Sequence, residues 1–152
     1  MTTVNVYLTF EGNCEEAFNF YKDVFGGEFS FIGRFKDMPL QEGSQSMSEH
    51  LLEQIMHISL PISEETALFG SDAGGEWAKG LITGRNLSIS VSNKDVKEIK
   101  RIYNELSAGG KILMPLKKTF WQSWFGMFTD KFGINWMVNC ELPEHEEFEK
   151  HN

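Results

Sequence analysis

Two glycine pairs constrain this chain more than any other feature. Gly26-Gly27 and Gly109-Gly110 each close a stretch with apolar residues at helical spacing, and each stretch follows a short segment of alternating apolar and polar residues. Glycine stops a helix there because it takes positive φ at no steric cost. Before the first pair, Val4, Val6, Leu8 and Phe10 alternate with Asn5, Tyr7 and Thr9, the signature of a strand with one core face. Glu11-Gly12 breaks that strand, Asn13 is the expected N-cap, and Glu16 would complete a capping box. Cys14, Ala17, Phe18, Tyr21, Val24 and Phe25 then form the helical stripe. Before the second pair, Leu87, Ile89 and Val91 alternate with Asn86, Ser88, Ser90 and Ser92. Ser92 or Asn93 is the expected cap, and the stripe is Val96, Ile99, Ile102, Tyr103 and Leu106.

Three strands are expected after each pair. In the first half they are Glu28 to Phe35, then a hairpin of Ile55–Ile62 and Thr66–Ser71. Met56, Ile58, Leu60 and Ile62 share one face of that hairpin's first strand; Ile55, His57 and Ser59 share the other. In the second half, Lys111 to Leu116 precedes two strands in the 120–139 stretch, reversed at Asp130 to Gly133, where Gly133 is free to take positive φ. Ile134, Trp136 and Val138 face one way, and Asn135, Met137 and Asn139 the other. The plan strand–helix–Gly-Gly–three strands thus recurs at an offset of roughly 80 residues. It predicts a first module over 1–71, a linker over 72–84 carrying Gly74-Gly75 and Gly80, a second module over 85–142, and an acidic tail over 143–152. Lys36 to Glu53 is polar and aperiodic, a loop of about 17 residues, and a lid over 37–53 is the expectation.

Charge removes whole classes of function. The net charge is −8 and the strongest basic cluster is Lys117-Lys118, so no footprint for nucleic acid exists. No run approaches the roughly 20 apolar residues of a membrane span, and the N-terminus lacks a charged-then-apolar pattern. A soluble, cytoplasmic protein is expected. Cys14 and Cys140 form no framework and read as reduced core thiols. Nucleophile-elbow, Walker and Rossmann patterns are absent.

A duplicated βαβββ module resembles the plan of the vicinal oxygen chelate superfamily, which includes glyoxalase I, extradiol dioxygenases and the fosfomycin- and bleomycin-resistance proteins. Tyr7-Leu8-Thr9-Phe10, Asn13 to Ala17, Phe20-Tyr21, Phe25-Gly26-Gly27 and the block Met114 to Asn139 are similar to its PhnB-like branch. The resemblance implies an α+β fold of two βαβββ modules, whose curved mixed sheets surround a cavity with the helices on their convex sides. It then gives the alternations a direction. Rows Val4/Val6/Leu8/Phe10, Leu87/Ile89/Val91 and Ile134/Trp136/Val138 should lie under the helices, and Tyr7, Thr9, His57, Ser59, Ser88, Asn135, Met137 and Asn139 should face the cavity.

Enzymes of this superfamily hold a divalent metal at inward positions of the first and last strands of each module. Carried onto this chain, those positions are Tyr7, Asn86, Met137 and a residue near Leu68 or Phe69. That set lacks the imidazole and carboxylate donors such ions prefer, so no metal ligand and no cofactor are expected. No catalytic set emerges either. His57 is the single candidate, readable as a hydrogen-bonded wall residue or as a general base. The expected ligand-binding residues are Tyr7, Thr9, His57, Ser88, Trp121, Phe125, Met137 and Asn139. Members of the family are often labelled 3-demethylubiquinone-9 3-methyltransferase. The sequence shows no strand-to-helix glycine loop for S-adenosylmethionine, so the label is read as nomenclature.

The leading expectation is a metal-independent protein that binds a small molecule. The alternatives are a divalent-metal enzyme of the glyoxalase or dioxygenase type, and a non-enzymatic interaction protein. Exposed sheet edges and the apolar Trp121-Trp124-Phe125 group point to a homodimer.

Overall fold

The computed structural model describes residues 2–38, 48–120 and 122–141, and the chain divides into two compact units, Met1–Ile82 and Thr83–Asn152. The first contains β1 (Val6–Phe10), α1 (Cys14–Phe25), β2 (Phe31–Arg34), α2 (Glu49–Leu52), β3 (Ile55–Pro61) and β4 (Ala67–Asp72). The second contains β5 (Ile89–Ser92), α3 (Val96–Ser107), β6 (Lys111–Lys118), β7 (Ser123–Thr129) and β8 (Asn135–Glu141). Each unit forms one four-stranded mixed sheet, in the order β1-β4-β3-β2 and β5-β8-β7-β6. In each, the first strand runs parallel to the last and the remaining pairs are antiparallel. This is the α+β, two-module architecture the repeat implies.

The helical stripes build both cores. Cys14, Ala17, Phe18, Tyr21 and Val24 of α1 are buried against Leu8, Phe10, Ile58, Leu60 and Leu68. Ile99, Ile102, Tyr103 and Leu106 of α3 are buried with Phe128, Trp136, Val138 and Cys140. Each sheet carries a glycine where a helix aromatic descends. A Cβ at Gly70 would stand 2.5 Å from the Phe18 ring, and one at Gly126 would stand 2.9 Å from Tyr103. Both cysteines are free and buried, and burial, with Asp72 and Glu15 nearby, pushes the Cys14 thiol far above its ordinary pKa. An inert core thiol results.

Each unit also buries one carboxylate, Asp72 and Asp130. Asp130 closes the β7–β8 turn: its Oδ1 accepts from the Phe132 and Ile134 amides at 2.8 and 3.0 Å, and its Oδ2 from the Trp136 indole at 2.8 Å. Gly133 takes φ 88 there, as the turn requires. Asp72 works at longer range. Its Oδ1 accepts from the Gly12 and Cys14 amides at 2.8 and 3.0 Å, and its Oδ2 from the Ile55 amide at 2.9 Å. It thereby fastens the end of β4 to the starts of α1 and β3.

That arrangement corrects the capping expected at Asn13, whose side chain makes no cap hydrogen bond. The start of α1 is instead fastened from a distance, with Asp72 taking the amides of Gly12 and Cys14 on either side of Asn13. On α3 the cap is Asp95, accepting from the Lys97 amide at 2.9 Å, while the Asn93 side chain accepts from the Asp95 amide. Two apolar rows are shorter than expected. Val4 is 93% exposed and Leu87 is 73% exposed. Val6 pairs with Leu68, one residue from the start of β4, so Val4 lies beyond the end of its partner strand. Leu87 precedes β5, and its carbonyl, with that of Gly84, is taken by the Asn135 amide at 3.2 and 2.8 Å. Asn135, expected on the cavity side, is in fact a buried strap.

The faces of β3 also differ from expectation. Gly33 pairs with His57 but Arg34 pairs with Ile55, so Met56 is the extra residue of a β-bulge. The bulge returns Ile55 to the core face and turns Met56 away from Ile58. Part of the expected 37–53 loop is ordered as helical turns, a 3-10 turn over Phe35–Asp37 and α2 over Glu49–Leu52, with Ser48 accepting from the Leu51 amide. The expected lid falls chiefly on residues 39–47, which lie outside the described residues, as do Trp121 and the 143–152 tail.

Candidate functional site

Period-2 alternation in β1 and β4 leaves one face of the first sheet to the helix and the other open. The open face carries a row of rings. Tyr7 pairs with Phe69 across β1 and β4, Phe69 with Ser59, and Ser59 with Phe31. His57 is their common neighbour: the Tyr7, Phe31 and Phe69 rings each lie 5.7 Å from the imidazole, centroid to centroid. Tyr7 and Phe69 are stacked on it at interplanar angles of 30° and 29°. Tyr7 remains 51% exposed and Phe31 49% exposed, so the cluster is a surface and not a core. Half-exposed rings of this size form the kind of apolar surface patch from which contact sites are built.

The polar groups of this face are few. The Tyr7 hydroxyl and His57 Nδ1 are 3.4 Å apart, a long hydrogen bond whose direction follows the imidazole tautomer. Nε2 has no protein partner among the described residues and takes the opposite role. The Ser59 hydroxyl is engaged by Ser30 at 3.0 Å. One step along, Thr9 pairs with Ser71, and these two line a cavity of about 350 Å³ together with Phe35, Met56, Ala73 and Gly74. Asp72 borders the same cavity, with both oxygens committed to backbone amides. Of the expected ligand residues, Tyr7 and His57 therefore meet directly and Thr9 lies beside them. Phe31, Phe35 and Met56 were not foreseen. Met56 could not have been, because a bulge leaves no mark on the alternation.

The open face of the second sheet is chemically different. Its middle row is Ser90–Met137–Met127–Met114, one residue from each strand in cross-strand register. The next row is Ser92–Asn139–Phe125–Lys117. Met137, Phe125 and Asn139 thus share the open face. Ser88 is half-buried and precedes β5, outside the paired strand. Trp124, opposite Cys140 on the helix face, carries the Lys100 ammonium 4.5 Å above its ring.

The donor set fails the test for a divalent ion. Among the described residues no three of His, Cys, Asp and Glu come together. At the positions a metal would need, Tyr7 is stacked on His57, Phe69 pairs with Tyr7, and Met137 pairs with Met127. Neither the single imidazole amid phenyl rings on the first sheet nor the thioether row on the second fits Zn, Mn or Fe(II). Nor do the strand-to-helix turns fit S-adenosylmethionine. In the first, the amides of Gly12 and Cys14 are spent on Asp72; the second, Asn93-Lys94-Asp95, contains no glycine.

Two sheets of order 1-4-3-2, each with a helix on one face, define a protein of the glyoxalase/bleomycin resistance/dioxygenase fold, and a domain of that description from Frankia sp. EAN1pec aligns at a TM-score of 0.65 and 14% identity over 98% of each chain. A family model described as 3-demethylubiquinone-9 3-methyltransferase matches residues 2–139, and the chain belongs to that family. Protein PA1353 from Pseudomonas aeruginosa is 37% identical, with a TM-score of 0.80 over 94% of this chain and all (100%) of that one. Protein YjdN of Escherichia coli (strain K12) is 32% identical over 136 residues, 88% of this chain and 91% of that protein.

Proposed function

We propose that this chain binds a small organic molecule on the open faces of its sheets, that it does so without a divalent metal, and that it works as a cytoplasmic homodimer. The observation that carries the reading is the half-exposed ring cluster around His57, set beside a cavity of about 350 Å³. That volume lies in the range of ligand pockets, and Phe35 and Met56 give it apolar wall beside the hydroxyls of Thr9 and Ser71. His57 supplies the hydrogen bond that orients the ligand, through Nε2, with Nδ1 held toward Tyr7. Phe31 and Phe69 supply contact area, and Thr9 and Ser71 supply hydroxyls at the cavity wall. No described helix is long and apolar enough to cross a membrane.

Ligand-observed NMR against a fragment collection tests the reading. Aromatic fragments should bind the native protein, and binding should be lost in His57→Ala and Tyr7→Ala while the folded spectrum persists. Fragments that bind both variants as well as the native chain would refute the site. Metal content after purification from metal-supplemented medium should be well below one ion per chain; a stoichiometric divalent ion would refute metal independence. Sedimentation at micromolar concentration should give a dimer of the 17.4 kDa chain.

A further inference from the structure

We infer that the open face of the second unit takes an amphipathic organic anion, with its apolar part on the methionine row and its acidic group at the lysines of β6. The inference rests on the reading of the open faces as binding surfaces and names the ligand class for this one.

Three thioethers in one cross-strand row, Met114, Met127 and Met137, form an apolar strip one residue wide across three strands. Methionine has three rotatable side-chain bonds and a polarisable sulfur, so such a strip moulds itself to flat or irregular apolar groups. Met114 is 46% exposed, which leaves the strip open to solvent at its β6 end. The charges lie at the same end. Lys111 pairs with Thr129 and Lys117 with Phe125, placing the two ammonium groups on the open-face rows to either side of Met114. Neither lysine has an ion-pair or hydrogen-bond partner among the described residues. The chain carries 22 acidic side chains against 14 basic ones, so two unpaired cations flanking an apolar strip run against the overall balance. The acid in register on this face, Glu141, pairs with Ser123 beyond the Asn139 row and shares its cavity with Lys94. Asn139 and Ser92 continue the Lys117 row with neutral hydrogen-bonding groups.

Lysines on an edge strand also guard against edge-to-edge pairing. A guard needs no apolar strip beside it and no choice of face. Lys118, which pairs with Trp124 on the helix side, separates the two roles because it lies on the same edge strand but on the opposite face.

The experiment is a fluorescence titration with two probes that share an anilinonaphthalene skeleton. One is 8-anilinonaphthalene-1-sulfonate; the other, N-phenyl-1-naphthylamine, lacks the sulfonate. At low ionic strength the native protein should prefer the anionic probe by about tenfold, the sum of two modest charge contacts. The preference should shrink in salt. Lys111→Gln/Lys117→Gln should abolish the preference and leave the neutral probe unchanged, whereas Lys118→Gln should alter neither. Met127→Gln should weaken both probes severalfold. Equal affinities for the two probes, or equal loss in Lys118→Gln, would overturn the anion assignment while the binding face stands. Binding of both probes unaltered by Met127→Gln would overturn the binding face itself. Far-UV circular dichroism on every variant keeps loss of fold separate from loss of binding.

Discussion

The two units have the same strand order and the same helix placement, yet their open faces share almost no chemistry. The first presents rings and hydroxyls around one imidazole and pairs no charged residue into its rows. The second presents thioethers, with lysines at one edge. On the helix side the two are close equivalents, each with a buried aromatic from the helix seated over a strand glycine. Because successive strand residues point to opposite faces, one set of positions can keep the core while the alternate set diverges freely. The duplicated plan constrains packing and leaves recognition open.

The largest expected effect marks the border between the two sets. Trp136→Ala should lower stability by about 3–5 kcal/mol, since it empties a fully buried aromatic site and removes the indole donor from Asp130 Oδ2. Met137→Ala, one residue on but on the open face, should cost about 1 kcal/mol or less. Urea denaturation compares them, and equal midpoints would break the distinction between faces. Next come the carboxylates. Asp72→Ala should cost about 3 kcal/mol, as it leaves three backbone amides without their acceptor. Amide exchange at Cys14 and Ile55 should rise with it; unchanged exchange would show that water replaces the carboxylate.

The glycines sharpen the comparison of cores. Gly70→Ala should destabilise by about 2–3 kcal/mol and Gly126→Ala by about 1–2, in the order of the 2.5 and 2.9 Å approaches to their rings. Reversed order in thermal melts would mean that α1 shifts more readily than α3. The smallest effect concerns helix starts. Asp95→Ala should cost about 1 kcal/mol, the usual value of a working N-cap. Asn13→Ala should cost under about 0.5 kcal/mol, because Asn13 caps nothing.

That last pair shows where the sequence is legible and where it stops. Helical stripes and strand alternation are local, so Phe18, Tyr103, Trp136 and Val138 could be assigned to the core by period alone. The turn at Asp130 to Gly133 is equally local, and its glycine does what the residue type demands. The capping box at Asn13 fits the local pattern too, but its side chain makes no cap hydrogen bond, and the carboxylate that takes the amides on either side of it stands at position 72, which nothing within four residues of Asn13 announces. The same limit hid Met56, where a bulge reverses the alternation, and Leu87, whose carbonyl the Asn135 side chain takes ahead of β5. His57 and Tyr7 were visible as open-face residues, but the approach of Phe31 and Phe69 to the imidazole depends on register between strands.

Asp72 also sets an order of events during synthesis. Its partners Gly12, Cys14 and Ile55 leave the ribosome before it does, at sequence separations of 60, 58 and 17 from the carboxylate. Until β4 emerges, α1 begins with open amides and β3 lacks its anchor, so the nascent first module has a helix and strands but no fastening between them. Closing contacts over such separations is slow relative to local structure. The bonds of Asp130 to Phe132, Ile134 and Trp136 impose no comparable delay, for these three follow it within 6 residues. A chain released at residue 71 would hold every element of the first module except the strand end that fastens it. Its exposed rings and unpaired β1 edge would then be open to neighbouring chains, the species from which aggregation starts.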